Sequence, residues 1–471
     1  MSKKLFVLIP LVLLLAVPSL AAIGIFENNK DIGTAGNPKG IGSVVDQGFV
    51  WKTDHLAQQY LFTAGGSDIW DSADHFQFAY RTITGDVRVT ASYDWVAASN
   101  DWAKVETMLR ASDAAGSIHY STAGRKGTSY ANDYGGLQYR TSTDAGSGET
   151  GASKPAGSAG PKALAIQRVT VGGLPFIESL VDWGLGAGWQ SNGISLGFAL
   201  PNTVLAGVAV TSHDNDHLAQ AKVYDVKYDT KPALVGTLTF TKVPEAAAKD
   251  QPCTQIAGFK IRTLKAQYTD GWGRAEMDKL LDFGCTGPMC TGKGLPIPGI
   301  EEGSRIDPVV NLRDSGDGTF GNNRSFPGID PFEYPAADPA AGDDDNNFAT
   351  EVLACVKLTK GLHIFGVNDD DGTIVKVGGV EIGRSTEWKG TGTPTDFIFE
   401  IAKEGWYDLR ARHLEGGGGA SLEIHEVLMN GTRILLGDVA AGGSQVVVPE
   451  PATIALLGLG GLALFGSRKR S

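Results

Sequence analysis

From Asn28 to Asp229, apolar and polar residues alternate with period two in one short block after another, as in Phe76-Gln77-Phe78-Ala79-Tyr80, Val87-Arg88-Val89-Thr90-Ala91 and Val223-Tyr224-Asp225-Val226-Lys227-Tyr228. A strand sends successive side chains to opposite faces, so this rhythm buries one face of a sheet and argues against a helical bundle. Turn chemistry punctuates the blocks, Thr84-Gly85-Asp86 in one place and Gly172-Gly173 in another. The 63 glycines are spread among such turns with no collagen-like period. The expectation is a mainly β protein whose antiparallel strands pack in two sheets.

Charge narrows the partners. With 53 acidic and 41 basic residues the formal net charge is −12, and no basic block stands outside the C-terminal tail, which argues against a nucleic-acid partner. Four cysteines, Cys253, Cys285, Cys290 and Cys355, fall in the second half. In an exported chain they allow two disulfides in any of three connectivities, and Cys285 and Cys290 are close enough to clip one loop. The competing metal reading lacks a companion His or Cys pair at finger spacing.

Both ends read as addresses. Lys3-Lys4, the apolar run Leu5 to Val17 and the small residues Ser19-Leu20-Ala21-Ala22 form a removable signal peptide over 1–22. At the other end, Pro449-Glu450-Pro451 precedes an apolar run from Ala452 to Phe465 and the basic cluster Arg468-Lys469-Arg470. As a helix that run spans only about 21 Å against a hydrocarbon core near 30 Å, so it suits a transient anchor, with its basic end cytoplasmic. Together residues 448–471 resemble the PEP-CTERM sorting signal, which an exosortase recognises and cuts in Gram-negative bacteria. The resemblance implies exosortase and signal peptidase as export partners and a hydrophobic sorting helix held transiently in the inner membrane. It also implies delivery to the envelope, outer surface or extracellular matrix.

The roughly 425 residues between the signals are enough for two or three domains. In the first, 23–230, the run Gly66-Ser67-Asp68-Ile69-Trp70-Asp71, then Trp102-Ala103-Lys104 through Met108-Leu109-Arg110, then Gly207 to His213 with Ala221-Lys222-Val223, resembles bacterial concanavalin A-like (laminin G-like) jelly-roll domains. The resemblance implies a β-sandwich, with Trp70 on a strand beside Asp71 and the Trp-Ala-Lys block opening a central strand of the concave sheet. Thr141 to Pro161, rich in Gly, Ser and Ala, is expected as a long loop. Residues 231–254, with Pro232, Pro244 and an Ala246-Ala247-Ala248 run, read as a linker, although Leu234 to Phe240 could add one more strand to the first domain.

In the second domain, 255–437, Met277, Leu280 and Leu281 at i, i+3 and i+4 predict one short helix. Asn368-Asp369-Asp370-Asp371-Gly372, Gly405-Trp406-Tyr407 and Gly416-Gly417-Gly418-Gly419 resemble the lectin-like β-barrel of protective antigen and yeast flocculins. A second linker, 438–447, leads to the sorting signal.

Asp369, Asp370 and Asp371 crowd three carboxylates into one turn, an arrangement that is costly unless solvated or neutralised by a cation. Calcium, with its six to eight oxygen ligands, is the natural candidate against a plain solvated turn. By the barrel resemblance, Asp370 and Asp371 are the calcium positions, and the ion in turn ligates carbohydrate. No second ligand loop is evident, since Asn322-Asn323 and Asn346-Asn347 are distant in sequence; Asp343-Asp344-Asp345 with Asn346-Asn347 is another acidic turn that could bind calcium, though such charge runs are usually solvated. His213 and His217 sit in one turn and are expected not to share a metal. Trp95, Trp102 and Trp183 are the candidate platforms for sugar rings. No residues are assigned a catalytic role: Asp94, Asp101 and Glu106 show no spacing that selects a glycosidase pair. The expectation is a non-catalytic protein that binds carbohydrate or exopolysaccharide. A purely structural matrix or adhesion protein and a secreted glycan hydrolase are the alternatives.

Overall fold

The computed structural model describes residues 22–33, 42–98, 100–127, 136–150, 154–266, 274–283, 299–313, 319–329, 348–390 and 392–449. Residues 1–21 of the expected signal peptide, Cys285, Cys290, Asp343 to Asn347 and everything after Pro449 lie outside them. The chain divides after Thr237 into two compact units.

The first unit is built from β1 (Asn28–Ile32), β2 (Ser43–Trp51), β3 (Leu56–Gly66), β4 (Phe76–Thr84), β5 (Val87–Ala97), β6 (Lys104–Arg110), β7 (His119–Arg125), β8 (Leu137–Arg140), β9 (Gly148–Thr150), β10 (Ala163–Val171), β11 (Leu174–Asp182), β12 (Trp189–Leu196), β13 (Thr203–Thr211) and β14 (Asp214–Asp229). They form two antiparallel sheets, β1-β4-β13-β6-β7-β8-β9 and β12-β11-β10-β5-β14-β3-β2. The alternation explains the packing. Phe62, Ala91 and Val223 from one sheet meet Ala79, Val105 and Val208 from the other in a shared core. Gly172 and Gly173, both at positive φ, make the tight turn that pairs Val171 with Leu174. Thr84-Gly85-Asp86 instead carries the chain from one sheet to the other.

Three expectations are corrected in and after this unit. Trp70 lies in the connection between β3 and β4, not on a strand. The stretch from Thr141 to Pro161 contributes β9, which pairs with β8, so it is not all loop. Residues 231–254 are not a free linker. Glu178 accepts from the Val235 and Gly236 N–H groups at 3.0 and 2.6 Å, and β15 (Thr241–Val243) pairs in parallel with a strand of the second unit, burying Val243 in its core.

The second unit continues with β16 (Phe259–Ala266), α1 (Arg274–Phe283), β17 (Gly299–Asp307), β18 (Asn311–Arg313), β19 (Phe348–Leu358), β20 (Gly361–Asp370), β21 (Gly372–Val377), β22 (Val380–Arg384), β23 (Thr395–Ile401), β24 (Gly405–Glu415), β25 (Ser421–Val427), β26 (Arg433–Leu435) and β27 (Val446–Val447). One sheet runs β15-β23-β20-β25-β18, the other β17-β16-β19-β24-β21-β22, with β26 on β25 and β27 on β19. Phe365, Phe399 and Ile424 face Ile261, Val352 and Leu409 across the core. Among the described residues no sheet closes into a barrel. The predicted helix forms as α1, and Met277, Leu280 and Leu281 pack on Leu264, Ala349, Ile374 and Leu414 on the outer side of the second sheet. Cys253 and Cys355 form a disulfide. The expected linker 438–447 is packed too, because its Val446 and Val447 are buried and pair with Val356 and Cys355. Among the described residues no helix is long and apolar enough to cross a membrane.

Candidate functional site

In the second unit the acidic turn is a corner where the chain leaves one sheet for the other. Asp370 ends β20 opposite Ser421, and Gly372 opens β21 opposite Leu414. The intervening Asp370–Asp371 peptide is cis. The three aspartates have different fates. Asp369 is fully buried, paired with Lys389 at 3.0 Å and hydrogen-bonded by Ser385, so its charge is already used. Asp370 and Asp371 instead converge with Glu415 at the end of β24, one carboxylate oxygen from each lying within 4.8 Å of the others.

Burial pushes the Asp371 carboxyl above its ordinary range; the Gly416 N–H, 2.9 Å away, opposes the rise and the Asp369 charge adds to it. Behind the corner His413 is buried and stacks on Phe326, and its Nε2 donates to the Asp370 carbonyl at 2.7 Å. Burial lowers its pKa, so the ring is neutral and braces the backbone.

Trp388, 55% exposed, completes the rim. Its ring occupies the place where a Cβ on residue 416 would stand, and that Cβ would also come within 3.1 Å of Asp371, so a glycine at 416 lets the indole and the carboxylate sit together. Sequence reasoning found Asp370 and Asp371 but missed Glu415 and Trp388. The Gly-rich turn that begins at Gly416 was the available signal for Glu415; nothing in the sequence singled out Trp388.

A second concavity lies in the first unit. Trp102 lines a cavity of about 330 Å³ together with Asp68, Trp70, Lys104, Arg125, Glu149 and His213. Register explains the cluster, since Lys104 on β6 stands opposite both Arg125 on β7 and Thr211 on β13, where the chain turns to His213. The Arg125 guanidinium sits 4.6 Å from the Trp102 ring centre and pairs with Glu149 at 2.6 Å. Asp68 joins Lys104 at 2.5 Å and His213 at 3.1 Å. Burial alone would raise the Asp68 carboxyl; His213 and Lys104 more than offset this and hold it below the usual range.

Further along the same face of β6, Glu106 is fully buried, and desolvation drives its carboxyl up to about 7 against the pull of Lys104 and Ser121. His217 pairs with Asp214 at 2.8 Å, so the two turn histidines serve different carboxylates.

The three predicted tryptophans separate. Trp102 lines the cavity. Trp95 is half-buried, packed edge-on to Tyr93 at the margin of the core. Trp183 is only 3% exposed and packs with Leu164 and Val181, where it borders a cavity of about 370 Å³ formed with Ser158, Pro161, Lys162 and Leu185.

Residues 447–470 match the PEP-CTERM protein-sorting motif. No curated protein matches the chain. Among solved structures it is similar to a PA14 sugar-binding domain from an RTX adhesin (17% identity, TM-score 0.27, 38% of this chain and 95% of that one). It is similar also to the PA14 domain of the antifreeze protein MpAFP (16%, TM-score 0.30, 43% and 96%). A third is the epithelial adhesin 9 A domain from Candida glabrata in complex with Galb1-3GlcNAc (13%, TM-score 0.26, 45% and 94%). The end of the chain thus carries a PEP-CTERM sorting motif, which marks an exported, surface-sorted protein processed by an exosortase.

Proposed function

We propose that this surface protein binds carbohydrate without turning it over, and that the corner formed by Asp370, Asp371 and Glu415 beside Trp388 is its principal site. The observation that carries the reading is the convergence of three carboxylates next to an exposed indole.

The donor set fits calcium. It consists wholly of hard oxygen atoms, and among the described residues the cluster contains no histidine or thiol that would favour zinc. Three carboxylates this close repel one another unless a cation or protons neutralise them. Calcium held there by Asp370, Asp371 and Glu415 would offer coordination to sugar hydroxyls. The chain's own part is to fix the carboxylates through Gly416 and His413, and to present the Trp388 face to a sugar ring. The Trp102 cavity is a second, weaker carbohydrate contact, and two such modules on one chain gain avidity through effective concentration.

Delivery belongs to the same proposal. A signal peptide over 1–22 is removed by signal peptidase. The segment after Pro451 anchors the chain transiently in the inner membrane of a Gram-negative cell, and the mature protein reaches the outer surface or extracellular matrix.

The test is calorimetric titration of calcium into the full chain and into Asp370→Ala and Asp371→Ala variants, followed by glycan-array binding with and without calcium. Saturable binding lost in both variants, with glycan binding that needs calcium, is the expected result. No heat from a folded protein would leave a purely structural matrix role as the better reading.

A further inference from the structure

The outer face of the sheet β17-β16-β19-β24-β21-β22 is only half covered among the described residues. Helix α1 lies over Leu264, Ala349, Ile374 and Leu414. Four residues further along β24 from Leu414, toward its N-terminal end, the register sets Lys260, Leu353, Arg410 and Lys376 side by side on four adjacent strands. Their neighbours Ile261, Val352, Leu409, Ala411, Val375 and Val377 fill the core, so alternation turns this row outward. The row lines a groove of about 1000 Å³ together with Arg305, Ile306, Ile256, Val448 and Pro449.

The charge of this groove runs against the rest of the molecule. In a chain of net charge −12, four of its lining residues are basic, Lys260, Arg305, Lys376 and Arg410, against the single acid Asp408; Arg305 is paired with the buried Asp307 at 2.6 Å. Asp408 is already paired with Lys249 at 2.6 Å, and Arg410 shares Glu351 with Arg262. Lys260 forms no ion pair among the described residues, and Lys376 stands opposite Glu381, whose carboxylate is hydrogen-bonded by Arg384, so Lys376 is left without an ion pair of its own.

We infer that this groove binds a linear acidic polysaccharide. Neighbouring strands lie about 4.8 Å apart, so the cations of the row recur at roughly 5–10 Å intervals across the sheet. That arrangement suits regularly spaced carboxylates on an extended chain better than a single small anion. Ile306, 47% exposed, Ile256, 55% exposed, and Leu353 supply apolar surface between the charges, the complement of a sugar ring's CH face. The groove shares no residue with the Asp370–Asp371 corner, so the two sites fail independently.

The experiment uses the full chain in EDTA, which silences any calcium site, and immobilised polygalacturonate as the probe. Neutral dextran, double-stranded DNA and polyglutamate are the comparison ligands. Polygalacturonate should be retained and dextran not, with binding that weakens as salt shortens the screening length from about 10 Å at 0.1 M toward 3 Å at 1 M. Lys260→Glu with Lys376→Glu should weaken it at least about tenfold, a fold-change expected when close charges are reversed. Lys260→Arg with Lys376→Arg should preserve it.

Should the charge-reversed pair not fold, Lys260→Ala with Lys376→Ala carries the same expectation, with the melting temperature as the check. Absence of polygalacturonate binding, or undiminished binding by the folded double variant, overturns the inference. Equal affinity for DNA or polyglutamate overturns it as well, since the face would then be a general polyanion surface.

Discussion

Asp74 is the residue on which the first unit's ligand-facing surface turns. It is wholly buried, and its carboxylate takes hydrogen bonds from Arg110 at 2.6 Å and from Arg140 at 2.6 and 2.8 Å, tying the β3–β4 connection that carries Asp68 and Trp70 to the sheet. Burial alone would raise this carboxyl; the Arg140 hydrogen bond and the two guanidinium charges hold it below the ordinary range. His119 beside it is driven down to about 4 by burial and is neutral at physiological pH.

A carboxylate with a depressed folded pKa contributes stability that is complete above its unfolded value near 4 and is lost as pH falls through the folded one. Acid titration of unfolding should therefore show the first unit weakening below about pH 4. Asp74→Ala, which strands two buried guanidinium groups, should cost about 3–5 kcal/mol in denaturant melts at pH 7.

Glu106 has the opposite sign. Its folded pKa is raised to about 7, so its burial costs stability progressively as pH climbs from about 4 to 7. Glu106→Gln should stabilise the first unit by roughly 1–3 kcal/mol at pH 8 and by little at pH 4. A melt difference that did not grow with pH would contradict this. At the corner of the second unit, Gly416→Ala should displace Trp388 and weaken glycan binding while leaving the melting temperature within a few degrees. The Asp370–Asp371 pair was legible because adjacent carboxylates advertise themselves; Glu415 stands 44 residues from Asp371, and only the fold brings them together.

Among elements, legibility followed periodicity. Long alternating blocks such as β4, β5 and β14 carry their own signature, and α1 shows its i, i+3, i+4 stripe. Strands of two or three residues do not, which is why β9, β15 and β27 fell in stretches expected to be loop or linker. Such pieces are extended because a neighbouring strand edge pairs with them, a fact of tertiary structure. The tryptophans differ for a related reason: Trp102 and Trp183 look alike in sequence, and only the fold sets one among charged groups and packs the other against Leu164 and Val181. Helix α1 gives the sharpest prediction at this scale. Leu280, 2% exposed, packs on the outer face of the second sheet, and Leu280→Ala should destabilise that unit by about 2–4 kcal/mol, read as a lower denaturation midpoint.

For the whole molecule, the cysteines separate the two units chemically. All four lie beyond residue 237, and the Cys253–Cys355 bond closes a stretch of 102 residues. A cross-link over about 100 residues contributes roughly 4–5 kcal/mol in the chain-entropy view. Calorimetry with and without reductant should show one transition that shifts down by several degrees and another that stays put. A uniform shift of both would contradict this assignment.

The placement of β27 bears on how the protein carries load. Val446 and Val447 pair with β19, the Val448 N–H donates to the Ile256 carbonyl at 2.8 Å, and the sorting motif starts there with no slack between. While the chain is held by its C-terminal segment, tension enters at Pro449 and is met first by the β27–β19 ladder, whose Val447 pairs with Cys355, the strand position covalently bonded to Cys253. Once that two-residue ladder parts, the pull passes along the chain toward β26 and β25, and unravelling that reaches Cys355 meets the bond to Cys253, so the oxidation state of one cysteine pair decides whether the residues between them are sheltered from extension.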